Sequence, residues 1–151
     1  TSNIALDSFY WRDTLPAQVT VNRLVTGTYN QAQNYKIVYK VNGAGAYRTL
    51  ADNLSTTKNY VLDMRPAVLG LAANERVTEI MFVFGTVPAG FAQVETPVLY
   101  GTVCGGLSNG TNLVNSADVG GLYSGQWVQA VSRWLTTVYA KMTMTLPKTG
   151  Y

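Results

Sequence analysis

The chain contains no histidine, and that absence removes much of the chemistry open to a protein of this size. Serine and cysteine hydrolases use an imidazole to take the nucleophile's proton, and imidazole is the commonest side-chain ligand of protein-bound metals. What remains is eight carboxylates and one thiol. The acids Asp7, Asp13, Asp52, Asp63, Glu75, Glu79, Glu95 and Asp118 are spread out without the Asp-x-Asp clustering of a calcium loop. Nothing in their spacing points to the facing carboxylate pair of a glycosidase. The expectation is a protein that is not an enzyme and holds neither metal nor cofactor. With one cysteine, no disulfide can close within the chain. Cys104, followed by Gly105 and Gly106, admits three readings: a small packed hydrophobe, a disulfide to another chain, or a thioester with Gln126 or Gln129.

The end of the chain carries a different kind of signal. Leu146-Pro147-Lys148-Thr149-Gly150 matches, position by position, the pentapeptide recognised by class A sortases, and so resembles the cell-wall sorting signals of Gram-positive surface proteins. The resemblance implies that a sortase cysteine attacks the Thr149–Gly150 bond and that Thr149 is then joined to an amine of the peptidoglycan precursor. Residue chemistry agrees: proline fixes φ and keeps the peptide out of a preceding sheet, and glycine leaves the scissile bond unobstructed. The implied localisation is extracellular and cell-wall-anchored. In such proteins an export signal precedes the folded part, and an apolar segment and basic tail follow the pentapeptide; both are expected beyond the ends of this sequence.

A second resemblance covers most of the remainder. Asp13-Thr14-Leu15-Pro16, within the run from Trp11 to Ala17, looks like a signature near the start of a repeat domain common in Gram-positive surface proteins and pilins. Val114-Asn115-Ser116-Ala117-Asp118-Val119 looks like the Asn-x-Ala-x-Val signature near its end. These domains are immunoglobulin-like sandwiches, and many form an internal Lys–Asn isopeptide bond. The resemblance puts Asp13 at the catalytic position and Asn115 at the acceptor position. Such a reaction needs a desolvated, neutral lysine beside a protonated acid. The family's lysine precedes the first signature, and residues 1–12 contain none, so the donor strand is expected upstream or the bond is absent. Lys36, Lys40 or Lys141 would substitute only in a rearranged geometry. Without the bond, Asp13 and Asn115 reduce to an acid before a Leu-Pro turn and an asparagine bonding the backbone.

These positions must be held by strands. The sequence of 151 residues is 47% hydrophobic and 13% charged, about half the usual ~25% charged fraction of globular domains. Tyrosine, threonine and valine suit pleated, half-buried surfaces. The spacing predicts strands at Asn3–Arg12, ended by Leu15-Pro16, at Val19–Val25, Tyr35–Val41, Ala46–Leu50, Val77–Phe84, Pro97–Cys104, Asn112–Tyr123 (broken at Gly120-Gly121) and Gln126–Met142. Asn42-Gly43 tolerates the positive φ of a tight hairpin turn. One helical turn is expected at Pro66–Ala72, with Asp63 as its cap. The fold class is therefore all-β: an immunoglobulin-like antiparallel β-sandwich with one short helix or helical turn, over residues 1–144, followed by an extended sorting motif at 145–151.

The net charge of +3 comes from 11 basic and 8 acidic residues with no basic run, so a nucleic-acid partner is not expected. Asn53-Leu54-Ser55 and Asn109-Gly110-Thr111 fit the glycosylation pattern, and the second also reads as a turn. Trp11, Trp127, Trp134 and ten tyrosines suit core packing for the most part, while flat rings exposed on one face would suit a sugar. Two functions compete: a stalk displaying distal domains of an adhesin or pilin-like protein, and a module binding a carbohydrate or host protein.

Overall fold

Alternation of large apolar and polar residues gives the longer strands one face to bury, and the computed structural model, which describes residues 4–103 and 112–137, shows how those faces are matched. The elements are β1 (Leu6–Thr14), β2 (Val19–Val25), β3 (Thr28–Tyr29), β4 (Asn34–Val41), β5 (Ala44–Ser55), β6 (Val61–Asp63), α1 (Pro66–Leu69), β7 (Val77–Val87), β8 (Gln93–Glu95), β9 (Val98–Val103), β10 (Asn112–Tyr123) and β11 (Gln126–Thr137). They form antiparallel sheets in a sandwich-like, all-β arrangement, as composition and turn spacing led one to expect. The large sheet has the order β11-β10-β1-β7-β4-β5; β6-β2-β9 and β3-β8 are smaller.

Between the sheets lies a continuous core. Leu6, Ile37, Tyr39, Ile80, Phe82 and Phe84 of the large sheet meet Val21 and Leu24 of β2, with Leu15, Met64 and Phe91 from the connections. Tyr29 stacks on Phe91 at 5.0 Å, and Trp11 meets Phe82 edge-on at 5.0 Å. Each such aromatic side chain removes ~150–250 Å² from water.

The hairpin turn is where the sequence placed it. Asn42 and Gly43 both have positive φ, 53° and 65°, the signature of a type I′ turn. The Asn42 amide braces that turn, accepting from the Arg76 backbone N–H at 3.0 Å and donating to the Asn74 carbonyl at 3.1 Å. The Arg76 guanidinium in turn donates to the carbonyls of Pro16, Val19 and Val77, each at 3.2 Å. One arginine thus ties the β1–β2 turn, which contains Pro16, to the start of β7.

The structure also departs from expectation at several points. β3, β6 and β8 are two or three residues long, too short to show an alternating pattern, and exist because a neighbouring backbone supplies their hydrogen bonds. β10 runs unbroken through Gly120 and Gly121; the glycines relieve crowding, since a Cβ at Gly121 would lie 2.9 Å from the Asp7 carbonyl. Asp63 does not cap α1. Arg65 holds that place without a side-chain cap, and Asp63 Oδ1 accepts from the Arg65 N–H just before the helix.

Candidate functional site

Successive side chains of β1 point to opposite sides of the large sheet, so the strand serves two different environments. Trp11, Asp13 and Leu15 face the core, and Tyr10 and Arg12 face away from it.

Asp13 is 2% exposed and stands between Ala117 of β10 and Ile80 of β7 in the register. It lines a groove of about 600 Å³ together with Trp11, Leu15, Leu99, Ala117 and Val119. Asn115 lies two residues before Ala117 on β10, where it pairs with Trp134 of β11. The two positions named by the second resemblance therefore sit on adjacent strands, two residues out of register. No described lysine shares the face of Asp13. Lys36 is exposed and Lys40 holds its ammonium 4.4 Å from the centre of the Tyr47 ring, on the face of β4 opposite the buried Tyr35, Ile37, Tyr39 and Val41. Lys58 lies in an exposed turn, its N–H bonded to the Ser55 carbonyl.

On the outer face the strands bring together a network that composition and motif matching missed. Arg12 and Asp118 are directly opposite in the β1–β10 register. Arg12 donates from Nε to Oδ1 at 2.8 Å and from Nη2 to Oδ2 at 2.7 Å. Tyr10 Oη and Gln129 Nε2 also donate to Oδ2, at 2.9 and 2.7 Å. Burial alone would raise the Asp118 carboxyl, but the hydrogen bonds from Arg12, Gln129 and Tyr10 outweigh it and hold the group below its ordinary value. The same bond to Asp118 raises Arg12, which stays charged. Burial, with the hydrogen bond to Asp118, raises Tyr10, which stays neutral. Beyond Arg12, Tyr47 donates to Glu79, so burial first and then Glu79 raise the Tyr47 phenol.

The signal for this network was present but needed the register. Arg12 precedes Asp13 and Asp118 follows Ala117; once Asp13 pairs with Ala117, their neighbours must meet on the opposite face.

Trp11 and Trp127 divide between the two environments, and the Trp134 side chain lies outside what is described. Trp11 is half-buried against Phe82, whereas Trp127 is 65% exposed and touches Tyr10 edge-on at 6.5 Å. Asn53 is exposed on β5 with φ of 53°. Leu146, Pro147, Lys148, Thr149 and Gly150, with Cys104, Asn109 and Lys141, lie outside the described residues, as does the proposed domain limit at residue 144. Among the described residues no group of three or more acids or thiols converges to hold a metal, and no helix is long and apolar enough to cross a membrane. No protein-family model, curated protein or solved structure matches the chain.

Proposed function

We propose that the chain is a stalk module of a sortase-anchored Gram-positive surface protein, adhesin or pilin-like, that presents distal domains from the cell wall and catalyses no reaction itself. The observation that carries this reading is Leu146-Pro147-Lys148-Thr149-Gly150. In the proposed reaction a class A sortase thiolate attacks the Thr149 carbonyl, the Thr149–Gly150 bond breaks, and the new amine of the following segment leaves with a proton. A peptidoglycan amine then displaces the enzyme thiol from Thr149. The module is extracellular in this reading, with sortase and the wall precursor as its partners.

Architecture supports a mechanical role. Twelve-residue strands β10 and β11 are paired in register along their whole length, and β1 is paired on both sides within the large sheet, so a pull along the strands loads many hydrogen bonds together. Asp13 and Asn115 support kinship with the isopeptide-forming domains, while Lys36 and Lys40 lie on the outer face of β4 and Lys58 in an exposed turn.

Incubation with a class A sortase and a triglycine nucleophile tests the reading. The expected product ends at Thr149 joined to triglycine. An intact chain after prolonged exposure, with a control peptide cleaved in the same tube, overturns it.

A further inference from the structure

The outward face of the large sheet holds an arrangement that a stalk does not need. At its β11 end an indole, Trp127, is 65% exposed, a costly position for the largest apolar side chain unless something covers it. Beside it lies Tyr10, whose ring extends across β10 because position 120 has no side chain: a Cβ at Gly120 would stand 2.8 Å from the Tyr10 oxygen. Gln129, two residues along β11 from Trp127, completes the corner.

The polar groups here are held in place in advance. Asp118, 8% exposed, accepts four hydrogen bonds from Arg12, Tyr10 and Gln129. That anchors the Gln129 amide and the Tyr10 phenol in position while leaving each with hydrogen-bonding capacity beyond its one bond to the carboxylate. Groups fixed before a ligand arrives lose little freedom on binding it.

We propose that this corner is a glycan-binding site, in which the Trp127 indole stacks on the apolar face of an uncharged pyranose ring and Gln129 and Tyr10 exchange hydrogen bonds with its hydroxyls. Charge favours a neutral ligand. Arg12 is matched by Asp118, so among the described residues the corner beside Trp127 offers no unmatched charge to an anionic polymer. Pattern favours a sugar over a protein partner. The Trp127 indole has the Tyr10 phenol and, two residues along β11, the Gln129 amide beside it, with half-buried Leu122 opposite it in the register, while its exposed neighbour Val128 belongs to the opposite face of β11.

The experiment is a glycan array probed with the whole chain, carrying neutral glucose-, galactose-, mannose- and N-acetylglucosamine-based oligosaccharides beside sulfated and sialylated ones. Any neutral hit is then titrated in solution by tryptophan fluorescence. The expected result is binding of a neutral oligosaccharide that weakens at least ~10-fold in Trp127→Ala, is partly retained in Trp127→Phe and weakens in Gln129→Ala, with the melting temperature of Trp127→Ala unchanged. Binding of charged glycans only, binding undiminished in Trp127→Ala, or no neutral glycan bound at millimolar concentration overturns the proposal. So does a protein ligand that competes for Trp127 when no sugar does. None of these outcomes bears on the sortase reaction, which is read at Thr149.

Discussion

Arg12 and Asp118, 106 residues apart in sequence, face each other across β1 and β10 and are joined by two parallel hydrogen bonds of 2.8 and 2.7 Å. Charge-assisted, bidentate pairs of this geometry are the strongest polar contacts a surface offers. Tyr10 and Gln129 converge on the same carboxylate from either side, so one side chain of β10 ties together β1, β10 and β11.

Removing that carboxylate leaves three donors without it. Asp118→Ala is expected to lower stability by ~2 kcal/mol, read as a shift in the urea midpoint with unchanged slope. The double variant Arg12→Ala/Asp118→Ala should lose less than the sum of the two single changes, because each removes the same contact. Additive losses would show that the pair is not coupled.

Acid should act through the same group. The carboxyl of Asp118 is held below its ordinary 3.8 in the folded chain, so its contribution is fully present above the unfolded value and is lost as pH falls through the folded one. Urea midpoints measured between about pH 5 and pH 2 should therefore fall more steeply in the parent than in Asp118→Asn. Parallel curves would contradict the assignment.

At the hairpin, both turn residues need positive φ, and a Cβ on Gly43 would meet nothing within 4 Å. The cost of Gly43→Val is thus conformational rather than steric, on the order of 1 kcal/mol or more. Gly43→Asn should cost less, since asparagine tolerates the left-handed region. Equal melting temperatures for parent and Gly43→Val would rule out the strain.

Gly120 presents the opposite case. Its substitution by alanine would press a methyl group into the Tyr10 side chain, with the phenol oxygen at 2.8 Å and two ring carbons at 2.9 Å, and push the phenol off Asp118. A loss of ~1–2 kcal/mol is expected. Truncation by Tyr10→Ala should make Gly120→Ala nearly harmless; a full penalty in that background would show that the crowding lies elsewhere.

No Lys–Asn cross-link is expected in the chain as given. A nucleophilic lysine must be neutral beside Asp13, and the described lysines are on the outer face or in a solvated turn, where the charged form is favoured. Intact-mass spectrometry should give the mass of the unmodified sequence. A mass short by one ammonia, restored in Asn115→Ala after allowing for the substitution, would identify Asp13 as the acid that promotes the bond.

Local chemistry was legible without coordinates. Alternation found eight of the strands, though β5 runs on to Ser55 and the expected end of the last one at Met142 lies outside the described residues. Asn42-Gly43 named its own turn because few other residues accept two successive positive φ angles, and the missing histidine excluded whole classes of reaction. These are properties of a residue and its near neighbours. What depended on pairing was not legible. β3, β6 and β8 have no pattern of their own, and Gly120-Gly121 read as a break when the fold uses it as clearance for Tyr10 and the Asp7 backbone. Asp63 read as a cap but binds the residue that precedes the helix. Most of all, the outer network and the exposure of Trp127 follow from which strand lies beside which. A slip of one residue between β1 and β10 would part Arg12 from Asp118 and send every side chain of the strand to the other face. That register is set by the burial of Trp11, Leu15 and Ala117 against residues far away in the chain, a choice the whole core makes at once.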